Sequence, residues 1–436
     1  MAVMPQHILL SVLAATLAMA VEPPACDTNT VAIPNVSRPH YLESYTDPVF
    51  KTTITRITGE PETDIPNVNG KWDMVARHHY SKNSAWNCDQ SILLLGRHHG
   101  NPRMLFLDGT TYKPLFGRHS SPGTDTRWHP KEPWIMVYVK DNRIGYWDVR
   151  EDKQRTAAVF PGYSEFRIGP WEGNLSRDGR RIVIDGKRGE DRIAFAYDLE
   201  AEQKHPDVVL NDVTLDWVSV SASGKYIVLN GRISGQKGDQ TQVYDLVGNK
   251  VGSLWAEYGR PSHYDLTIDE NGDDVAVGVS KTQPDAGRVI KRRLSDGKVT
   301  ILTVGGYASH TSTRNVYRPG WAYVTYQHRG PKYPPYWDEV VAVKLDGSLT
   351  VERIAHLHTA KTDYLTEAHA VPSPDGNRVL WASDWESASG RPIGTYVARR
   401  VTADAKAEQN KPDAGDGKIL WSSKQKTTID RATFKK

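Results

Sequence analysis

The sequence predicts an all-β fold, a seven-bladed β-propeller, and three observations carry that expectation. Seven times an apolar or aromatic lead-in runs into a turn signal and then a strand-like stretch: AWNCDQSILLL, RWHPKEPWIMVYV, NLSRDGRRIVI, SVSASGKYIVL, LTIDENGDDVAVGV, TRNVYRPGWAYVTY and AVPSPDGNRVLWAS. Their turns fall near residues 89, 132, 178, 223, 271, 319 and 375, roughly 43–56 residues apart, which is the period of propeller blades. Each is followed by a second apolar strand, such as MLFLD, RIGYWDV, RIAFAYDL, TQVYDLV or EVVAVKL, and this alternation leaves little room for helices. Radial repetition also leaves only short, protected strand edges.

The chain ends read differently. Residues 1–20 hold an apolar stretch from Ile8 to Ala20 closed by Ala18-Met19-Ala20, the pattern of a secretory signal and too short for a stable membrane anchor. Residues 21–49 are read as an N-terminal extension and 50–400 as the propeller. Within the propeller, FKTTITRIT (50–58) is an extra strand with no blade of its own, suited to closing the ring by pairing in the last blade. Residues 401–436 form a polar tail, turn-rich over 402–418. The expectation is a secreted or periplasmic monomer. Its two cysteines, Cys26 and Cys88, allow one disulfide, or Cys88 stays a buried free thiol.

At 436 residues, 38% hydrophobic and 25% charged, the chain has the composition of a soluble globular protein, which excludes disordered and collagen-like classes. A net charge of +3 makes no case for a general polyanion binder, and no nucleic-acid partner is expected. An anionic ligand has to be met by a local cluster. There is no nucleophile elbow, phosphate-binding loop, dinucleotide fingerprint or cysteine zinc pattern, and no organic cofactor is expected.

The most unusual stretch is RHHYSKNSAWNCDQSILLLGRHHG (77–100), with a histidine pair at each end. In a four-stranded blade the loop leading into the innermost strand and the loop from the second strand to the third emerge on one face. That rule hangs His78, His79, His98 and His99 over one mouth of the propeller. It adds Tyr163, Glu172, His263, His310 and His369 from other leading loops, and Lys187, Arg188, Arg232 and His328 from second-to-third loops. Histidine titrates near neutrality and arginine carries a permanent bidentate charge, so such a rim suits proton transfer beside a carboxylate or sulfate. Taken singly, each histidine also reads as a loop cap or a filler between blades.

His263, His310 and His369 come from consecutive blades and are expected to converge near the central channel. Three imidazoles suit zinc or a similar divalent ion in a structural role, with water as a fourth ligand.

The segments HHYSKNSAWN, SHYDLTID, SHTSTRNVYRPGWAYV and EAHAVPSPDGNRVLWASDW, in that order, resemble those of secreted seven-bladed propeller polysaccharide lyases, nearest the ulvan lyases and more distantly the oligogalacturonate lyases. The resemblance spans roughly residues 40–400. One departure is Thr313, where many such relatives would carry a cysteine able to bind metal. The resemblance implies cleavage of an acidic polysaccharide, a sulfated algal polymer of the ulvan type, by β-elimination. Removing C5–H of a uronate needs a cation on its carboxylate, for which Arg188 leads and Arg232 is second. His79 or His78 fits the base, His99 a partner, Tyr163 the acid, and His98, Lys187, Arg232 and Glu172 the substrate contacts. Two other readings compete: a non-catalytic TolB-like periplasmic binding or scaffold propeller, and a hydrolase. A hydrolase needs paired carboxylates, and only Glu172 is well placed.

Overall fold

Short apolar runs rich in Val, Ile, Leu and aromatics, separated by Gly- and Asp-bearing turns, fold here into antiparallel meanders. The computed structural model describes residues 28–327, 334–360 and 363–400, so the signal-like segment, His328, Cys26 and the polar tail lie outside the described residues. Seven blades surround a central channel. Blade 2 runs outward through Asp125–Trp128, Ile135–Lys140, Arg143–Asp148 and Lys153–Val159. Blade 4 repeats this with Val213–Val220, Tyr226–Ile233, Gln240–Asp245 and Lys250–Trp255. Blade 5 begins at Ser262–Ile268 and blade 6 at His310–Ser312. The described residues contain no α-helix, only the single 3₁₀ turn Tyr364–Thr366.

The recurrent Ser-x-Asp-Gly turn has a local cause. In blade 3 the Ser176 hydroxyl donates to Asp178 at 2.5 Å and Gly179 takes φ +72°; in blade 7 Ser373, Asp375 and Gly376 at φ +71° do the same. These glycines supply the left-handed residue that turns the chain between the first and second strands.

Ring closure is as expected. Thr53–Arg56 pairs antiparallel with Gly394–Arg399 of blade 7, in the register Thr53↔Arg399 to Arg56↔Tyr396, and Ser44–Thr46 adds one more strand outside it. Ile54 sinks fully into the core between blades 6 and 7, against Tyr323, Val340, Trp381 and Tyr396. First and last parts of the propeller are thus held by one sheet.

Two blades depart from the meander, and both departures matter below. In blade 1, Ala76–Arg77 pairs with Arg97–His98 as a separate ribbon beside the main sheet of Ile92–Leu95, Met104–Asp108 and Pro114–Arg118. In blade 3 the inner position starts at Tyr163–Arg167, leaves the ladder over residues 168–174, and returns at the Leu175↔Ile182 bridge.

Cutting the buried closure side chain tests its contribution. Ile54→Ala is expected to lower stability by about 2–5 kcal/mol, read as a shift in the urea midpoint with the slope unchanged.

Candidate active site

The inner strands of blades 5, 6 and 7 bring three histidines together. His263 and His310 have ring centroids 4.6 Å apart, and His310 and His369 4.3 Å apart. His263 at φ +43° and His369 at φ +45° occupy the left-handed region, at a cost of about 1–3 kcal/mol that the surrounding packing must offset. Tyr80 fills the space between them, its ring 4.6 Å from His369 and 5.5 Å from His310, with its hydroxyl 3.3 Å from His263 Nδ1. Glu367 Oε2 lies 3.2 Å from His369 Nε2 and 3.8 Å from His310 Nε2. The ligating atoms that converge, within 4.8 Å of one another, therefore belong to His310, Glu367 and His369. His263 turns its Nδ1 to Tyr80 instead, and a carboxylate two residues before His369 takes the third place.

Behind this cluster sits Arg77, with no exposed surface. Its Nη2 donates to His369 Nδ1 at 2.9 Å, and its Nη1 donates to the Leu365 carbonyl. Burial, then the charge of Arg97, lowers its pKa to about 9, which still leaves it cationic at neutral pH. Because Nδ1 of His369 accepts, the ring proton lies on Nε2 and faces Glu367. His78 Nε2 donates to the His369 carbonyl at 2.6 Å. Burial first, then neighbouring positive charge, holds His78 and His369 well below the usual imidazole range, and takes His263 down to about 4.

An open cleft adjoins Tyr80. It is lined by His79, Tyr80, Arg97, Pro170, Trp171, Glu172 and Tyr364. His79 Nδ1 donates to Asn83 Oδ1 at 3.2 Å, which leaves Nε2 with its lone pair 3.4 Å from Arg97 Nη2. Burial, then Arg97 and Arg127, pushes the His79 pKa down to about 3, so it stays a neutral base. Arg97 stacks over the Tyr364 ring at 5.6 Å and makes no ion pair with a carboxylate among the described residues. A neutral imidazole beside a cation without a carboxylate partner can take a proton from an acid whose own carboxylate that cation holds.

Of the four histidines of the 77–100 segment, only His79 faces this cleft and the neighbouring hollow while remaining partly accessible. His98 is buried: Nδ1 donates to the Pro102 carbonyl at 2.5 Å and Nε2 accepts from the Asp73 amide at 3.1 Å, so it holds the loop. His99 is exposed, outside the residues that line the cleft.

The expected cationic partners also lie elsewhere. Tyr163 donates to Asp207 Oδ2 at 2.9 Å, Arg188 contacts the same oxygen at 2.5 Å, and Lys204 reaches Oδ1 at 2.6 Å, so Asp207 gathers all three at the edge of blade 3. Lys187 pairs with Glu165 at 2.8 Å, and Arg232 is exposed, 3.9 Å from Asp239. Glu172 lines the cleft but is bonded to Lys82 at 2.6 Å, whose ammonium lies 3.8 Å over the Trp217 ring. Thr313 faces blade 5, its amide on Asp265 and its hydroxyl on the Leu266 carbonyl, away from the histidine cluster. Cys88 forms no disulfide; it is half-buried, and burial raises its thiol pKa to about 12. Sequence reasoning passed over Arg97, Arg77, Asn83, Tyr80, Tyr364 and Glu367. A signal for two of them was present, because both ends of the segment read Arg-His-His, and the arginines pair across the ribbon as Arg77↔Arg97.

Two solved oligogalacturonate lyases share this architecture. One, in complex with manganese, superposes with a TM-score of 0.57 at 15% identity over 83% of this chain and 96% of its own. The other, from Vibrio parahaemolyticus, gives 0.54 at 11% identity over 86% and 98%. The likeness is one of fold. TolB from Acinetobacter baumannii gives 0.38 at 10% identity over 68% and 76%. No family model matches the chain, and no curated protein matches it.

The His310, Glu367 and His369 donor set fits a divalent ion in type and reach, being two imidazoles and one carboxylate. Arg77 opposes that fit, since a ligating histidine ordinarily donates its second N–H to an acceptor and here meets a donor. Arg77→Gln offers a carbonyl oxygen to Nδ1–H at this position. Titration calorimetry with Zn²⁺ and Mn²⁺ is expected to show affinity rising by about 10-fold or more in the variant. Unchanged or weaker binding would contradict the arrangement.

Proposed function

We propose that the protein is a polysaccharide lyase that cleaves a uronate-containing chain by β-elimination, with His79 as the base. The observation that carries this reading is the pairing of a neutral His79 Nε2 with Arg97, a cation without a carboxylate partner among the described residues, in an open cleft. The uronate carboxylate sits on Arg97, which neutralises the charge that builds up as C5–H is broken. His79 Nε2 takes the C5 proton as the uronate draws Arg97 off the Nε2 lone pair it donates to at 3.4 Å, Asn83 having fixed the tautomer that keeps that lone pair on Nε2. The C5–H electrons form the C4=C5 double bond and the C4–O4 bond breaks. O4 takes a proton from the Tyr80 hydroxyl, which burial keeps protonated and which His263 holds in place.

A divalent ion, zinc in our assignment, would be held by His310, Glu367 and His369 once His369 Nε2 gives up the proton that the Arg77 contact places there, and would brace the inner strands next to Tyr80. The same donors suit manganese. Ulvan is the substrate we place first, on the likeness of HHYSKNSAWN and EAHAVPSPDGNRVLWASDW to ulvan lyase segments, with pectic polymers and glycosaminoglycans after it. An exported monomer acting on such a polymer is the setting we infer.

Incubation with ulvan, polygalacturonate and a glycosaminoglycan, followed by the ultraviolet absorbance of the unsaturated uronate, tests the reading. The wild type is expected to produce that signal, and His79→Gln and Arg97→Gln to lower kcat about 10²–10⁴-fold with folding intact. Silence on all three polymers, or a His79→Gln variant at full rate, sinks it. The pH profile adds a separate check. The neutral base is the active form and persists down to about pH 3, so the acid limb of kcat/KM is expected well below 6.5.

A further inference from the structure

Trp171 has features that the elimination chemistry does not use. It lies in the 168–174 interruption of blade 3's inner strand, in the left-handed region at φ +65°, and is 48% exposed. The loop around it is built from several sides. A Cβ on Gly169 would meet the Val218 carbonyl oxygen at 1.7 Å and one on Gly173 would meet it at 2.7 Å, so both glycines press against blade 4. The Trp171 amide donates to Asp125 Oδ2 at 3.2 Å, and the Gly173 carbonyl accepts from Arg127 at 2.6 Å. Asp125 and Arg127 are themselves buried and paired. A strained, tightly held backbone that leaves half an indole in solvent is preorganised for contact with a ligand.

The position of that indole says which ligand. Trp171 and His79 both line the cleft of Arg97 and a neighbouring hollow, each of about 260 Å³, room for one sugar ring. The hollow presents uncharged polar groups, including Ser121, Thr124, Thr126 and Asn174, and the cation on its wall, Arg127, is neutralised by Asp125. An aromatic face with hydroxyl and amide partners and no free charge suits a ring with an apolar C–H face and uncharged hydroxyls.

We infer that Trp171 is the platform of a second sugar subsite, which takes an uncharged pyranose adjoining the uronate held at Arg97. The order of the two rings rests on the lyase reading; the platform itself does not. The preferred ligand then alternates an acidic ring with an uncharged one, so desulfated ulvan is expected to be held more tightly than the sulfated polymer, whose sulfate meets no free cation among the described residues of the hollow.

Affinity electrophoresis of the full chain through gels containing desulfated ulvan or polygalacturonate tests this, with product formation measured in parallel. Trp171→Ala is expected to weaken retention by desulfated ulvan roughly tenfold, with Trp171→Phe keeping most of it, and to leave retention by polygalacturonate unchanged. On cleaved substrate, Trp171→Ala raises KM and spares kcat. Equal retention of wild type and Trp171→Ala by desulfated ulvan overturns the platform, as does an equal loss on both polymers or a wild type retained by neither. If retention depends on Trp171 but no polymer yields unsaturated product, the lyase reading falls and the platform stands. If product forms and KM is indifferent to Trp171, the reverse holds.

Discussion

A guanidinium with no exposed surface, that of Arg77, is the constraint around which the rest of the site is arranged. It comes from the ribbon beside blade 1 and donates to a histidine at the start of blade 7's inner strand and to a carbonyl just before it. Burying a cation is costly, and here its compensation is a ring nitrogen and carbonyl oxygens rather than a bonded carboxylate. The tautomer of His369, the orientation of Glu367 and the position of Tyr80 follow from that contact. So does the place of His79, two residues further along, at the edge of the open cleft.

The two halves of the site divide the work by burial. His78, His310 and His369 are buried in a packed cluster, where desolvation and then positive charge keep His78 and His369 neutral, and His263 lies at its exposed edge. That cluster holds Tyr80 through ring contacts with His310 and His369 and the hydroxyl contact with His263. His79 and Arg97 stand on its wet side, where a ligand can reach them, and Trp171 extends the same wall toward the next hollow. Among the described residues Arg97 is left without a carboxylate partner while Arg188, Arg232 and Lys187 each have one, and that difference in pairing, more than position on the rim, leaves Arg97 open to an anion.

Much of the architecture was readable along the chain. The sevenfold turn period, the Ser-x-Asp-Gly signals of blades 3 and 7 and the orphan strand at residues 50–58 each reflect local chemistry, and the closing strand pairs where its lack of a blade implied. The convergence of His263, His310 and His369 was legible for the same reason, since each begins an inner strand. Glu367 was not, because its relevance depends on a turn that points it back at His369. Tyr163 and Arg188 looked suitable by loop position, yet Asp207, 44 residues after the first, 19 after the second and outside any motif, draws both to itself.

What the sequence alone determined is therefore the repeat, the closure and the convergence of His263, His310 and His369 at one end of the inner strands, because these depend on period and turn type. Tertiary structure alone decided which member of each Arg-His-His triplet is buried and which is presented, and which cations are already neutralised. Those outcomes depend on pairings between residues far apart in the chain, such as Arg77 with His369 and Arg188 with Asp207, and no spacing rule encodes the partner.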